Sequence, residues 1–161
     1  MAIIIRNQEM LDKLVFAGII HNTPLVSLDF LVENTKGEFL LGMRTNRPAK
    51  DYWFVPGGRI LKNETLDEGF NRLTKTELGL EISLKQAQYH GLYEHFYPDN
   101  VFADEPEFQH ISTHYIVNVF RVKLLVQAEL PLRQHNAYKW FMPEQLLQDK
   151  QVHEYSKWYF K

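Results

Sequence analysis

Glu77 is the residue in this chain whose position most calls for a chemical explanation. At about 100° per residue, Leu66, Phe70, Leu73 and Glu77 fall on one narrow stripe of a predicted helix, with Glu68 and Lys75 on the opposite side. A carboxylate on an apolar face is costly unless a cation meets it, so Mg²⁺ or an Arg is the expected partner. The plainer alternative is a frayed helix end with Glu77 in water. The surroundings argue against fraying. The run reads Gly58-x5-Glu64-x7-Arg72-x4-Glu77-x-Gly79-Leu80, entered from a Pro56-Gly57-Gly58 turn. Thr65 and Glu68 have capping-box spacing, which predicts a helix starting at about Leu66, and Gly79 is a natural stop.

That spacing resembles the Nudix box, a Gly-loop-helix element that binds a divalent metal against a diphosphate. In the usual pattern Arg is followed directly by Glu, and a Glu-Glu pair closes the helix. Here Leu73 follows Arg72, and the pair is Thr76-Glu77. Two metal-facing carboxylates are gone, so the resemblance implies a Nudix protein with unusual chemistry. Three further segments narrow the likeness: Thr23 to Phe30, Gly37 to Pro48, and Gln134-His135 ahead of Tyr138-Lys139-Trp140. Together with the altered box they resemble the GDP-mannose mannosyl hydrolases, an atypical Nudix branch, from about His21 to near the C-terminus.

The resemblance implies a site. Mg²⁺, or Mn²⁺ in its place, is held by the Gly57 carbonyl, Glu77 and Gln134, an all-oxygen set that suits a hard cation. His135 is the general base, with an ordinary imidazole pKa near 6.5 that fits the task. Arg44 and Arg59 hold the leaving diphosphate, and Asp29 and Tyr115 belong to the sugar site. Judged from local context alone, Gln134 and His135 read as loop residues, Arg44 as an edge-strand charge and Tyr115 as a core ring. Asp29 is the exception, because an Asp in mid-strand is uncommon. Arg72 lies off the apolar stripe and is expected to pair with Glu64 or Glu68. His110 and His114 read as loop and strand residues near the mouth of the site, without a third ligand for zinc.

The reaction implied is hydrolysis of GDP-mannose, with GDP-glucose as a second substrate, by water attack at the anomeric carbon with inversion. GDP leaves as an anion, because a terminal phosphate ionises at about pH 6, and needs no general acid. Two alternatives stay open. One is a Nudix pyrophosphohydrolase giving GMP and a sugar 1-phosphate. The other is a nucleotide-sugar binding domain without turnover.

Size and composition set the frame. A chain of 161 residues with 45% hydrophobic content suits one domain with a real core. The net charge of −2 argues against a nucleic-acid polymer as partner. Zero cysteines removes disulfides and thiolate metal sites and fits a cytoplasmic protein. The apolar run at Met1 to Ile5 is too short for a signal peptide or a membrane span. Helix is expected over Asn7 to Ile19, at Pro143 and over Val152 to Phe160. Strands are expected at Leu25 to Asn34, Phe39 to Arg44, Trp53 to Val55, Gln86 to Phe96, Thr113 to Val122 and Tyr138 to Phe141. This order predicts a Nudix-type α/β/α sandwich: an α/β fold with a mixed β-sheet and helices on both faces. Residues 1–20 remain outside the resemblance and are a candidate dimer element, since the branch forms homodimers.

Overall fold

The computed structural model describes residues 11–125 and 135–161. The described elements run α1 (Lys13–Asn22), β1 (Leu25–Glu33), β2 (Phe39–Arg44), β3 (Trp53–Phe54), β4 (Gly57–Arg59) and α2 (Leu66–Leu78). They continue with β5 (Gln88–Tyr97), β6 (Thr113–Lys123), β7 (His135–Phe141), α3 (Pro143–Gln148) and α4 (Glu154–Trp158). The strands form one sheet in the order β3-β2-β1-β6-β5, with β4 also paired to β1 and β7 to β2. The β1–β6 pair is parallel and the other named pairs are antiparallel, so the sheet is mixed.

Central strand β1 is buried on both faces because helices cover both. Leu28, Phe30 and Val32 meet Phe70, Leu73 and Leu78 of α2. Leu31 looks the other way and joins Phe141, Leu146, Val152 and Tyr159 on the side of α3 and α4. The expected α/β/α sandwich is therefore the observed architecture. Phe30 and Phe70 lock α2 to the sheet edge-to-face, with centroids 5.0 Å apart. Truncating a buried Phe of this kind to Ala costs about 3–5 kcal/mol.

Helix α2 begins and ends as its sequence dictates. The Thr65 side chain accepts from the Glu68 N–H, and the Glu68 carboxylate accepts from the Thr65 N–H at 2.8 Å. Gly79 takes φ 70°, and its N–H returns to the Lys75 carbonyl at 3.0 Å. The buried stripe holds Phe70, Leu73 and Glu77, but Leu66 is 48% exposed and does not belong to it. Leu66 is the first helical residue, where the chain has not yet reached the sheet.

Other boundaries shift. Helix α1 starts at Lys13, where the Asp12 side chain accepts from the Leu14 N–H at 2.9 Å, and ends at Asn22, three residues beyond the expected stop at Ile19, with the Thr23 N–H closing on the Ile19 carbonyl. The expected start at Asn7 lies outside the described residues. Only Ala17 and Ile20 of α1 are buried, whereas Leu14 and Val15 are exposed. The segment from Val152 is helical only over Glu154–Trp158, since Val152 is spent on a bridge to Trp53. Strand β7 begins at His135, earlier than the expected Tyr138, because it pairs along β2 as far as Arg44. The long loop after β5 is held from inside. Asn100 is fully buried, and its Nδ2 donates to the Phe108 and Ile111 carbonyls, both at 2.8 Å.

Candidate active site

The Gly57-Gly58 segment, expected as a turn, is a strand. Gly57, Gly58 and Arg59 pair with Asp29, Leu28 and Ser27 of β1. Neither glycine has a positive φ, so their need for Gly is one of space. A Cβ on Gly57 would come within 2.5 Å of Asp29 Oδ1, and one on Gly58 within 2.5 Å of Leu73 Cδ2. The two glycines thus let β4 pair closely with β1 on one side and pack under Leu73 of α2 on the other.

Strand alternation then builds a cleft on one face. Ser27 and Asp29 of β1, Gly57 and Arg59 of β4, His95 and Tyr97 of β5 and Tyr115 of β6 all line it, with Arg44 at the end of β2. The register explains the grouping: Asp29 lies opposite Gly57, Ser27 opposite Arg59, and His95 opposite Tyr115. Arg44, Arg59, Asp29 and Tyr115, singled out from the sequence, are therefore brought together. His95 and Tyr97 were not singled out. Only the β5–β6 register could have found His95, since seven His residues competed and none carried a local signal.

Burial shapes the electrostatics. It pushes the Asp29 carboxyl up to about 7, against the opposing pull of a Tyr159 hydrogen bond and the Arg44 charge. Desolvation lowers the Arg59 guanidinium, and Tyr115 partly offsets this. The Arg59 guanidinium lies 4.4 Å from the Phe16 ring centre, so α1 helps to orient it. His95 is driven down to about 3, first by burial and then by His153, and is neutral at ordinary pH. Behind the cleft wall, the Tyr159 hydroxyl donates to Asp29 Oδ2 at 2.6 Å and lies 3.1 Å from His95 Nε2.

Glu77 comes from the opposite face, on α2. It is 2% exposed, and neither carboxylate oxygen has a hydrogen-bond partner among the described residues. Burial raises it to about 7, with Arg44 pulling it down and Asp29 pushing it up, so its charge is felt at the cleft. Arg44 acts on it through its charge alone, without a hydrogen bond to either oxygen among the described residues, and the helix end is not solvated. An oxygen-seeking cation fits this carboxylate. The Gly57 carbonyl fits as a second ligand. The Phe30 N–H donates to Pro56 O and the Ile60 N–H to Val26 O, both at 2.8 Å. By antiparallel alternation, Gly57 and Arg59 turn their backbone groups away from β1. Consistently, the Arg59 carbonyl accepts from Arg72 Nη2 at 2.9 Å. Among the described residues, no three His, Cys, Asp or Glu side chains cluster as a metal cage. A metal here would therefore draw on backbone oxygen and on substrate phosphate as well as Glu77.

Arg72 pairs with Glu64, one of its two expected partners, through Nε and through Nη2 at 2.9 Å. Gln134 lies outside the described residues. For His135 the backbone register is defined: it sits opposite Arg44 across the β2–β7 ladder. His110 and His114 do not line the cleft; they pack on His21 and Phe96 with ring centres 5.5 and 4.3 Å apart.

The chain belongs to the Nudix family: the NUDIX domain model matches residues 23–161. It is 38% identical over 127 residues to the low-salt glycan biosynthesis protein Agl8 of Haloferax volcanii, covering 78% of this chain and 76% of that protein. In structure it is similar to a MutT protein of Methanosarcina mazei, at TM-score 0.66 and 24% identity over 86% of this chain and 92% of that one. It is also similar to the NUDIX domain of Shewanella oneidensis NrtR complexed with ADP ribose, at TM-score 0.59 and 16% identity over 88% of this chain and 84% of that one. No helix among the described residues is long and apolar enough to cross a membrane.

Proposed function

We propose that this Nudix protein hydrolyses GDP-mannose, and GDP-glucose as a second substrate, to GDP and the free hexose. The observation that carries the reading is the box helix itself. Its remaining metal-facing carboxylate, Glu77, is buried and bare, while Leu73 stands where a box carboxylate is usual and is packed into the core against Gly58. One carboxylate is too few for the several-metal attack on phosphorus of ordinary Nudix hydrolases. It suffices if the cation only has to steady a leaving diphosphate. The name of the Haloferax relative and the ADP ribose held by the Shewanella neighbour favour a nucleotide-sugar ligand.

Glu77, the Gly57 carbonyl and Gln134 would hold Mg²⁺ or Mn²⁺. When bound, the metal supplies positive charge to the diphosphate. Arg44 and Arg59 do the same from the protein, and their effect grows as charge builds on the departing oxygen. Asp29 and Tyr115 orient the hexose. His135 takes a proton from water as the water oxygen bonds to the anomeric carbon. The bond from that carbon to the β-phosphate oxygen breaks, GDP leaves with the electron pair, and the sugar inverts, as in the water-activating half of an inverting glycosidase. The exposed Leu11, Leu14 and Val15 at the N-terminal end support a homodimer as the working assembly.

Turnover in ¹⁸O-labelled water tests the bond. The label is expected in the hexose, with the β-anomer of mannose formed first. Label in GMP or in sugar phosphate would sink carbon attack and favour a pyrophosphohydrolase. Absence of any turnover would favour a binding domain. Independently, His135→Gln is expected to lower kcat by roughly 10²–10⁴-fold, the usual range for loss of a general base. A normal rate would remove His135 from that role.

A further inference from the structure

We propose that Tyr159 is a positioning residue for the hexose end of the cleft. It locks Asp29 and His95 into one hydrogen-bonded relay, and the acceptor oxygen so fixed sets discrimination between hexoses. The inference rests on the reading above, in which Asp29 faces the sugar.

The geometry begins with one hydroxyl and two partners. Tyr159 is 3% exposed and stands behind Asp29 and His95, which line the cleft where it does not. Its hydroxyl has a single proton. With Asp29 ionised, the 2.6 Å distance to Oδ2 lies in the range of a charge-assisted O–H···O⁻ bond, and the Tyr159 proton goes to the carboxylate. The contact to His95 Nε2 at 3.1 Å must then run the other way, with Nε2–H donating to the Tyr159 oxygen. The relay reads His95 Nε2–H to Tyr159 O–H to Asp29 Oδ2, and it leaves His95 Nδ1 as the unprotonated nitrogen.

The mount of the relay is rigid. The Tyr159 ring packs edge-on to Tyr93 with centroids 4.8 Å apart. Tyr155, one turn earlier, stacks on His95 at 4.2 Å. Its hydroxyl donates to the Phe96 carbonyl at 2.6 Å and accepts from the Phe96 N–H at 3.1 Å. The buried Ser156 hydroxyl accepts from the Val55 N–H at 3.2 Å. The C-terminal helix is thus tied to β5 and to the strand leading into β4. With Oδ2 held by Tyr159, Asp29 cannot rotate, and Oδ1 stays beside Gly57. Hexoses of equal mass differ only in where their hydroxyls point. An acceptor can tell them apart only if its own direction is fixed.

The test uses the full-length protein and Tyr159→Phe, which deletes one oxygen and keeps the ring. Loss of a hydrogen bond to a charged group predicts a fall in kcat of about 10–100-fold with GDP-mannose. The ratio of kcat/KM between GDP-mannose and GDP-glucose is expected to shrink by about tenfold. Affinity for GDP with Mg²⁺, measured by calorimetry, should stay unchanged, because the diphosphate end is not involved. In an Asp29→Ala background, removing the hydroxyl should have no further effect. Additive losses in that cycle, an unchanged hexose ratio, or a parallel loss of GDP affinity would each overturn the proposal. ¹⁵N imidazole spectra of the wild type give an arm that needs no turnover. His95 is expected as the Nε2–H tautomer, and the Nδ1–H tautomer would overturn the relay. Should Tyr159→Phe fail to fold, that measurement carries the test. If the wild type turns over neither GDP-hexose, the substrate reading falls, and the tautomer still decides the relay.

Discussion

Two carboxylates of the same box have opposite surroundings. Glu64, just before α2, has a side chain only 6% exposed, and its oxygens accept from Arg72 and from the Leu61 N–H at 2.9 Å. Glu77, in the last turn of α2, is equally hidden, and neither oxygen is bonded among the described residues. The first is a finished structural clasp. Arg72 joins Glu64 to the Arg59 carbonyl and so ties the loop to β4. The second is an unfinished one: both of its buried oxygens lack a hydrogen-bond partner among the described residues, and in the proposed function a cation completes it. On the proposed reading, a satisfied carboxylate holds the site in shape, and an unsatisfied one is part of it.

That contrast can be broken at several strengths. Glu77→Gln is expected to lower turnover at low Mg²⁺ by roughly 10³-fold, the several kcal/mol a bound cation supplies, and to weaken Mg²⁺ binding while the fold persists. Full activity at low Mg²⁺ would take Glu77 out of the site. Arg44→Gln and Arg59→Gln come next, each costing on the order of 3 kcal/mol of transition-state stabilisation. Because diphosphate charge rises as the sugar bond breaks, kcat should fall along with kcat/KM. A change confined to KM would make them uniform binders.

Stability gives a sharper view of Glu77. In the metal-free fold its carboxyl is pushed up to about 7 from an ordinary 4.5. Between those values the folded state binds more protons than the unfolded chain, so stability falls as pH rises through that window. The loss amounts to at most about 3 kcal/mol, and Asp29 acts with the same sign. Melting of metal-free protein is expected at lower temperature at about pH 7.5 than at about pH 5. Mg²⁺ should raise Tm more at the higher pH, where it no longer competes with protons. Glu77→Gln should make the slope shallower, leaving the share of Asp29; an unaltered slope in that variant would show that Glu77 does not contribute to it. The smallest effect on turnover belongs to Glu64→Gln, expected within about threefold of wild type, with a stability loss of about 2 kcal/mol from stranding Arg72. Urea titration separates the two. A collapse of turnover with unchanged stability would reverse the roles of the two carboxylates.

The difference between these residues was half legible in the sequence. The i, i+4 spacing of Leu73 and Glu77 put a carboxylate on an apolar face, and the structure buries both. The same spacing placed Leu66 on that stripe, and it is exposed, because periodicity gives direction around a helix and not the extent of the surface it meets. Gly57 and Gly58 were legible as special but not as a strand, since their requirement comes from Asp29 on one side and Leu73 on the other. Arg44, Arg59, Asp29 and Tyr115 were named through resemblance. Their convergence depends on strand register, which no one of the segments contains.

What the sequence determined by itself is therefore local. The Thr65 capping box, the Gly79 stop and the replacement of box carboxylates by Leu73 and Thr76 are written within a helical turn or two, where backbone hydrogen bonds span only a few residues. The tertiary structure alone decided that His95 and Tyr97 join the cleft, that Phe16 lies against Arg59, and that Tyr159 reaches Asp29 across 130 residues of chain. Those contacts exist only once strand order and register are set, and these are set by burying two faces of one sheet at once.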